Sequence, residues 1–373
     1  MHFNRVVLFL TVLFCPAAVF AYTAGNLELK PYATLTEAYD DNITYTDHNR
    51  INDFVTQSLL GLQANYAGKT ASFSLLGALR YDVFAEHRTF DNLSEDFSLN
   101  AKKELSQHDS ISFADTFLHA QEPRSFEDAF GRTSGRYSYY QNTANTAYTH
   151  ELSQNLSFDL HDTYGAIIYS RNDIADSYLD KVGTAWQYAY NPETIALFSY
   201  DYSLRFFDPG PSMSMHTAMA GVRRYLTNQL YIEGDGGVDS FITYSKRSYT
   251  KPLFIFALND TLNGTTVAGI NFTREYLPNG YYEDVLDSWR ISGNIQRQIF
   301  ARLAGNLNFF WGEGKYITTG AKDELTGAKI GFAYDLFPNT QLLTDYSYSR
   351  TRSTIVSHEY RRDSVRLGAK VAF

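Results

Sequence analysis

The sequence predicts an all-β chain: a transmembrane, up-and-down antiparallel β-barrel of about eighteen strands (sixteen to eighteen), with hydrocarbon outside and water inside. Three observations predict it. Short segments of alternating apolar and polar residues recur from about residue 27 onward. Tight and long connections take turns between them. The chain stops on Phe373 in mid-pattern, where a soluble chain commonly frays through polar residues.

The first element is an address. Residues 1–21, MHFNRVVLFLTVLFCPAAVFA, place Arg5 before the apolar run Val6–Cys15, break it at Pro16 and end on the small Ala21. That layout is a secretory signal peptide, cleaved between Ala21 and Tyr22. The apolar run is shorter than the roughly twenty residues a membrane-spanning helix needs. Cys15 is the sole cysteine, so the expected mature chain, 22–373, has no disulfide and no thiolate chemistry.

The strands follow. Phe73, Leu75, Gly77, Leu79, Tyr81 and Val83 share one face, and Ser72, Ser74, Arg80 and Asp82 the other. Phe97, Leu99 and Ala101 oppose Asp96, Ser98, Asn100 and Lys102. Trp289, Ile291, Gly293, Ile295 and Ile299 oppose Arg290, Ser292, Asn294, Gln296 and Gln298. Ile330, Phe332, Tyr334 and Leu336 oppose Lys329, Gly331 and Asp335. A period of two is the mark of a strand with two unlike faces.

The connections alternate in kind. Tight ones carry turn residues, as in Ala67-Gly68-Lys69-Thr70, Asn191-Pro192-Glu193-Thr194 and Phe337-Pro338-Asn339-Thr340. Long polar ones include Asn42–Asn52, Gln121–Arg136, Ile317–Glu324 and Thr354–Tyr360. In a membrane barrel with both termini periplasmic, short turns face the periplasm and long loops face outside. A sandwich would need a linker or composition break to divide so many strands, and a solenoid would need a fixed repeat; the sequence has neither. Lipid offers no hydrogen-bond partner, so a sheet immersed in it must close.

The last strand, DSVRLGAKVAF, alternates Val365, Leu367, Ala369, Val371 and Phe373 with Ser364, Arg366, Gly368, Lys370 and Ala372. It resembles the C-terminal insertion signal of bacterial outer-membrane proteins, an amphipathic strand with a terminal Phe. The resemblance implies an outer-membrane location and recognition of Phe373 by the barrel-assembly machinery. A narrower resemblance lies near the start. PYATLTEAYDDNITYT (Pro31–Thr46), followed by Leu59-Leu60-Gly61-Leu62-Gln63-Ala64-Asn65-Tyr66, is similar to the opening of the β-barrel porin-2 group. That resemblance implies association with exopolysaccharide export, with polysaccharide and periplasmic export components as partners beside the lipid bilayer.

Some segments resist the pattern. Asp115 shares a face with Ile111, Phe113 and Phe117, and Asp162 with Leu156, Phe158, Leu160 and Tyr164. A β-bulge that reverses the register, or a position near an interface, would accommodate these charges; a partner covering that wall is the alternative. Arg224 and Arg274 raise the same question, and Tyr137–His150 and Lys251–Asp260 show no assignable face.

The expected lumen lining includes Arg80, Asp82, Lys102, Arg205, Asp235, Asp239, Arg290, Lys329, Arg362, Arg366 and Lys370. Cross-strand neutralisation explains mixed charge of this kind. A conduit attractive to anions is the functional alternative, with Arg362, Arg366 and Lys370 as a basic row and Glu233, Asp235 and Asp239 as an acidic one. The net charge of −9 argues against a nucleic-acid partner. No catalytic group is expected: His161 beside Asp159 and His358 beside Glu359 read as satisfied polar histidines. No cofactor or metal is expected either. Asp40-Asp41-Asn42 with Asp47 offers oxygen ligands of the type Ca²⁺ takes, but equally makes a solvated turn. The sequence therefore predicts an outer-membrane pore without enzymatic activity, a passive conduit or accessory for exopolysaccharide secretion. The alternatives are a general or small-solute porin and a structural or adhesive barrel acting through loops such as Gln121–Arg136.

Overall fold

The structure, a computed structural model, describes residues 22–133, 135–210, 212–242, 247–262, 264–279 and 284–373. The expected signal peptide and Ala21 lie outside them. Tyr22 opens a short strand, β1 (Tyr22–Ala24), which pairs with the start of β2.

Eighteen strands then form one ring. In chain order they are β2 (Leu27–Asp40), β3 (Asp53–Ala67), β4 (Ala71–Phe84), β5 (Asn92–Glu104), β6 (Asp109–Ala120), β7 (Tyr139–Glu151), β8 (Leu156–Tyr169), β9 (Asp176–Asn191) and β10 (Thr194–Asp208). The second half holds β11 (Ser212–Tyr225), β12 (Tyr231–Ile242), β13 (Ser248–Leu262), β14 (Thr266–Asn279), β15 (Asp284–Phe300), β16 (Leu303–Tyr316), β17 (Lys322–Phe337), β18 (Thr340–Ser353) and β19 (Tyr360–Ala372). Each pairs antiparallel with its sequence neighbours, and β19 pairs with β2 from Ser364↔Asp40 to Ala372↔Tyr32, which closes the barrel. The terminal residue takes part, since Phe373 N–H donates to the Pro31 carbonyl at 2.9 Å. Closure satisfies the edge groups that hydrocarbon could not.

The ring strands run from 12 to 17 residues, longer than the segments of about ten that hydrocarbon alone requires. Pairing continues into the aqueous margins, because the ladder hydrogen bonds form there as well. Leu60, Leu79, Ile295, Leu307 and Ile330 are exposed on the outer face. The buried apolar residues gather instead inside the barrel towards the long-loop end, around Phe310, Tyr316 and Leu325 and around Phe84 and Val55.

The structure corrects one expectation. The register runs unbroken through Asp115 and Asp162, with Leu99↔Asp115↔Ala144 and Thr146↔Asp162↔Val182. No bulge turns these side chains inward; both remain on the outer wall at mid-strand. Register shifts occur instead at Thr194/Ile195, Gln298/Phe300 and Asp335/Phe337, each beside a tight turn. Arg224 does lie at an interface: it sits one residue from the end of β11 and pairs with Glu193 at 3.0 Å. Arg274 lies 3.8 Å from Asp287 of the adjoining strand. The segments without an assignable face form β7 and β13.

Candidate functional site

The β6–β7 connection, Gln121–Ser138, folds into the lumen. Its sequence explains how. Ser125 and Asp128 make a capping box that starts a single helical turn, Phe126–Ala129. Gly131 and Gly135 then take positive φ (71° and 110°), which lets the chain reverse towards β7. Phe126 and Phe130 flank the turn and need apolar cover.

They find it on strands far from β6 and β7 around the ring. Both rings pack against Phe310 of β16, in a cluster with Leu286, Tyr316, Leu325 and Tyr360. Gly327 of β17 provides a flat seat: a Cβ there would fall 2.5 Å from the Phe126 ring. The Tyr316 hydroxyl donates to the Gly131 carbonyl at 3.2 Å.

A buried ion cluster ties the same loop to β19, β2 and β4. Glu122, only 5% exposed, is its hub. It meets Arg80 at 3.0 Å, Arg362 at 3.2 Å and Arg136 at 3.5 Å, and accepts from the Tyr45 hydroxyl at 3.1 Å. Arg362 also donates to Asp40 from Nη2 at 2.5 Å and from Nε at 2.8 Å. Arg80 lies 3.2 Å from Asp82. Burial alone would raise the Glu122 carboxyl, but Arg362, Arg136 and Arg80 outweigh it and hold the group well below the usual carboxylate range. Burial pushes the Tyr45 phenol up, so it stays a donor.

Beside the helical turn lies a chamber of about 530 Å³. Its charged lining is Arg124, Lys329, Arg362 and Arg366 against one carboxylate, Glu127. The remainder is largely amide and hydroxyl, from Asn271, Ser292, Asn294, Asn308, Ser347 and Ser349. Burial lowers the Arg124 guanidinium, whose Nε has no hydrogen-bond partner among the described residues.

The chain can now be compared with known proteins. The family model described as "Putative beta-barrel porin 2" matches residues 286–373, which run from β15 to the terminus. The chain is a closed β-barrel of the bacterial outer membrane, and the family match covers its C-terminal strands. Among solved structures, Pseudomonas aeruginosa OccK2 (OpdF) superposes with a TM-score of 0.50 at 9% identity, covering 93% of this chain and 98% of that one. The P. aeruginosa outer membrane protein opdK gives 0.49 at 9% identity, covering 92% and 98%. P. aeruginosa OpdL gives 0.48 at 14% identity, covering 94% and 99%. At such identities the likeness is one of fold. No curated protein matches the chain. The porin-2 match lies in the C-terminal strands, not in the Pro31–Tyr66 stretch that carried the resemblance.

The barrel distributes the expected lumen residues among three places. Arg80, Asp82 and Arg362 join the Glu122 cluster. Lys329 and Arg366 line the chamber and share Asp345, at 3.6 Å and 3.9 Å. The others stand apart. Lys370 lies near the tight-turn end with its ammonium 4.7 Å above the Tyr32 ring. Arg290 pairs with Glu275, Arg205 donates to the Ser177 hydroxyl at 3.2 Å, and Lys102 stands beside Ser72 and Ser112 in the register. Asp239 accepts from Thr217 at 2.6 Å, and Asp235 faces Gly221. The basic row of β19 is therefore split: two members at the constriction, one far from it.

The candidate calcium ligands diverge. Asp40 serves Arg362, Asp41 accepts from the Asp363 N–H at 2.6 Å, and Asp47 pairs with Arg50. His161 is clamped between Asp159 at 3.0 Å and Asp201 at 2.7 Å. His358 is fully buried against Asp323 at 2.8 Å. Glu122, Tyr45, Phe126, Phe130 and Gly327 were not singled out by sequence reasoning. The capping box and paired aromatics of the longest loop were the available signal; their opposite wall was not.

Proposed function

We propose that this barrel is a small-solute porin whose inward loop narrows the lumen and whose constriction favours anions. The observation behind this is the chamber beside Phe126–Ala129: its lining holds Arg124, Lys329, Arg362 and Arg366 with one carboxylate, Glu127, while Asp345, Asp40 and Glu122, which pair three of those cations, lie outside the lining. In a narrow space with low-dielectric walls, one sign of charge raises the local concentration of solutes of the opposite sign. Amide and hydroxyl groups beside it exchange hydrogen bonds with a polar solute without holding it tightly. Long loops face the exterior in this reading, and tight turns the periplasm.

The geometry gives less support to a polysaccharide conduit. A polymer needs a continuous wide lumen, whereas the Gln121–Ser138 loop is fixed to both sides of this one by ion pairs and aromatic packing. An adhesive role for that loop is equally disfavoured, since Glu122, Ala129 and Phe130 are buried inside the barrel.

The test is single-channel recording in planar bilayers under a salt gradient. The wild-type barrel should conduct, with a reversal potential on the anion-selective side. Lys329→Gln with Arg366→Gln should move it towards cation selectivity while leaving the Glu122 cluster intact. Absence of conductance would refute the pore, and an unmoved reversal potential would remove the chamber from its selectivity.

A further inference from the structure

Three adjacent strands carry an outer face unlike the rest of the barrel. Asp115 stands at the middle of β6 and Asp162 at the middle of β8, both directed outward alongside the exposed Ile111, Phe113, Leu160 and Tyr164. Between them, β7 presents Tyr140, Asn142, Ala144, Thr146, Tyr148 and His150, with no aliphatic residue larger than alanine. Other walls place Leu60, Leu79, Ile295, Leu307 and Ile330 in the corresponding band. Outward charges on other strands have a partner or stand nearer a strand end: Arg274 has the carboxylate of Asp287 beside it, Glu37 accepts from the Thr56 hydroxyl at 2.8 Å, and Glu95 and Asp180 lie near the starts of β5 and β9, towards the long loops. Asp115 has only an amide, with Asn142 Nδ2 donating at 2.8 Å, and no hydrogen bond or ion pair of Asp162 is seen among the described residues.

Hydrocarbon is a poor neighbour for such a wall. A charge on the lipid face at mid-depth costs about 2–4 kcal/mol for Arg or Lys and somewhat less for Asp, and this wall carries two. Strand register excludes relief by rotation into the lumen, as shown above.

We infer that the β6–β8 wall is an in-membrane interface and that its occupant is a second copy of this chain. The occupant must carry hydrogen-bond donors at the same depth on a membrane-facing surface. This wall is itself such a surface: Asn142, Thr146 and Tyr164 bear N–H and O–H groups at the level of the two carboxylates. A two-fold axis along the membrane normal keeps depths equal, so groups at one level meet groups at that level. With the axis at Ala144, β6 of each copy faces β8 of the other, and Asp115 comes opposite the Tyr164 end of β8. The small Ala144 lets the two walls approach closely. Nothing in this inference depends on what passes through the lumen.

Cysteine cross-linking in outer-membrane vesicles tests it, since the sole native cysteine, Cys15, lies in the expected signal peptide. Ala144→Cys, oxidised with copper phenanthroline, should give a band at twice the monomer mass. Leu307→Cys, on the opposite side of the ring, should not. Thr146→Cys repeats the test should the first variant fail to assemble, as judged by heat-modifiable migration. A folded barrel that stays monomeric, or one that cross-links equally through Leu307→Cys, overturns the interface. A cross-link of any other mass overturns the choice of a second copy. Asp115→Leu with Asp162→Leu, which lipid would favour, should lower the dimer fraction several-fold in detergent; an unchanged fraction also counts against the proposal.

Discussion

Gly327 shows how much a single residue contributes to the constriction. It lies on the inward face of β17 with ordinary strand geometry, so its value is not backbone freedom but the absence of a side chain under Phe126. Gly327→Val would place a Cβ inside the ring's contact distance. Overpacking of this type costs about 1–3 kcal/mol, and the loop can relieve it by lifting away while the wall cannot. The expected outcome is a larger single-channel conductance with unchanged barrel assembly. Proteolysis between Phe126 and Arg136 should also quicken. Val at Gly331, two same-face positions along the strand, where the nearest neighbour is Asn306 and not Phe126, is the control for general damage to β17.

The inward loop is the element on which the pore reading turns, and its hold is electrostatic on one side and apolar on the other. Glu122 is the least replaceable member. Glu122→Gln would leave Arg80, Arg136 and Arg362 around a neutral amide, and breaking a buried ion pair from one side costs about 3–5 kcal/mol. The variant should show frequent transitions to a wider conducting state. The pH dependence follows from the same cluster. A carboxyl depressed in the folded state contributes stability above its unfolded pKa and loses it as pH falls through the folded one. The ordinary Glu pKa is about 4.3 and the Arg cations hold Glu122 well below that. Loop docking should therefore be constant from pH 8 to about pH 5 and weaken only in strong acid, well under pH 4. Loop opening between pH 6 and 7 would mean that another group controls it.

At the scale of the whole molecule, closure is the property that counts. β19 pairs with β2 along nine residue pairs, and Phe373 extends that seam through its bond to Pro31. Deletion of Phe373 should lower the fraction of chain that reaches the membrane as a folded barrel, measured by heat-modifiable migration. Solubility of the mature chain as a monomer without detergent would contradict the membrane barrel itself.

How much of this was legible in the sequence differs by level. The alternation of Phe73 to Val83, of Trp289 to Ile299 and of Ile330 to Leu336 fixed which side of each strand meets lipid, because a pleat sends successive side chains to opposite faces. The turn residues Gly68, Pro192 and Pro338 marked the ends of hairpins, since turn chemistry is local. Charged lumen residues such as Arg80, Lys329 and Arg366 could be assigned to the inner face for the same reason. Their partners could not, because those depend on contacts across the ring. Arg362 read as part of a row with Lys370; in the structure it belongs with Glu122, which lies 240 positions away in the chain. Likewise, Asp115 and Asp162 read as signs of a bulge, an interfacial position or a covering partner, and the unbroken ladder, which keeps them on the outer wall at mid-strand, removes the bulge. By itself the sequence determined a closed two-faced sheet, because periodicity and turns are short-range properties of the backbone. Only the tertiary structure decided that the longest loop crosses the lumen to Gly327 and Phe310, because that contact joins residues no local pattern relates.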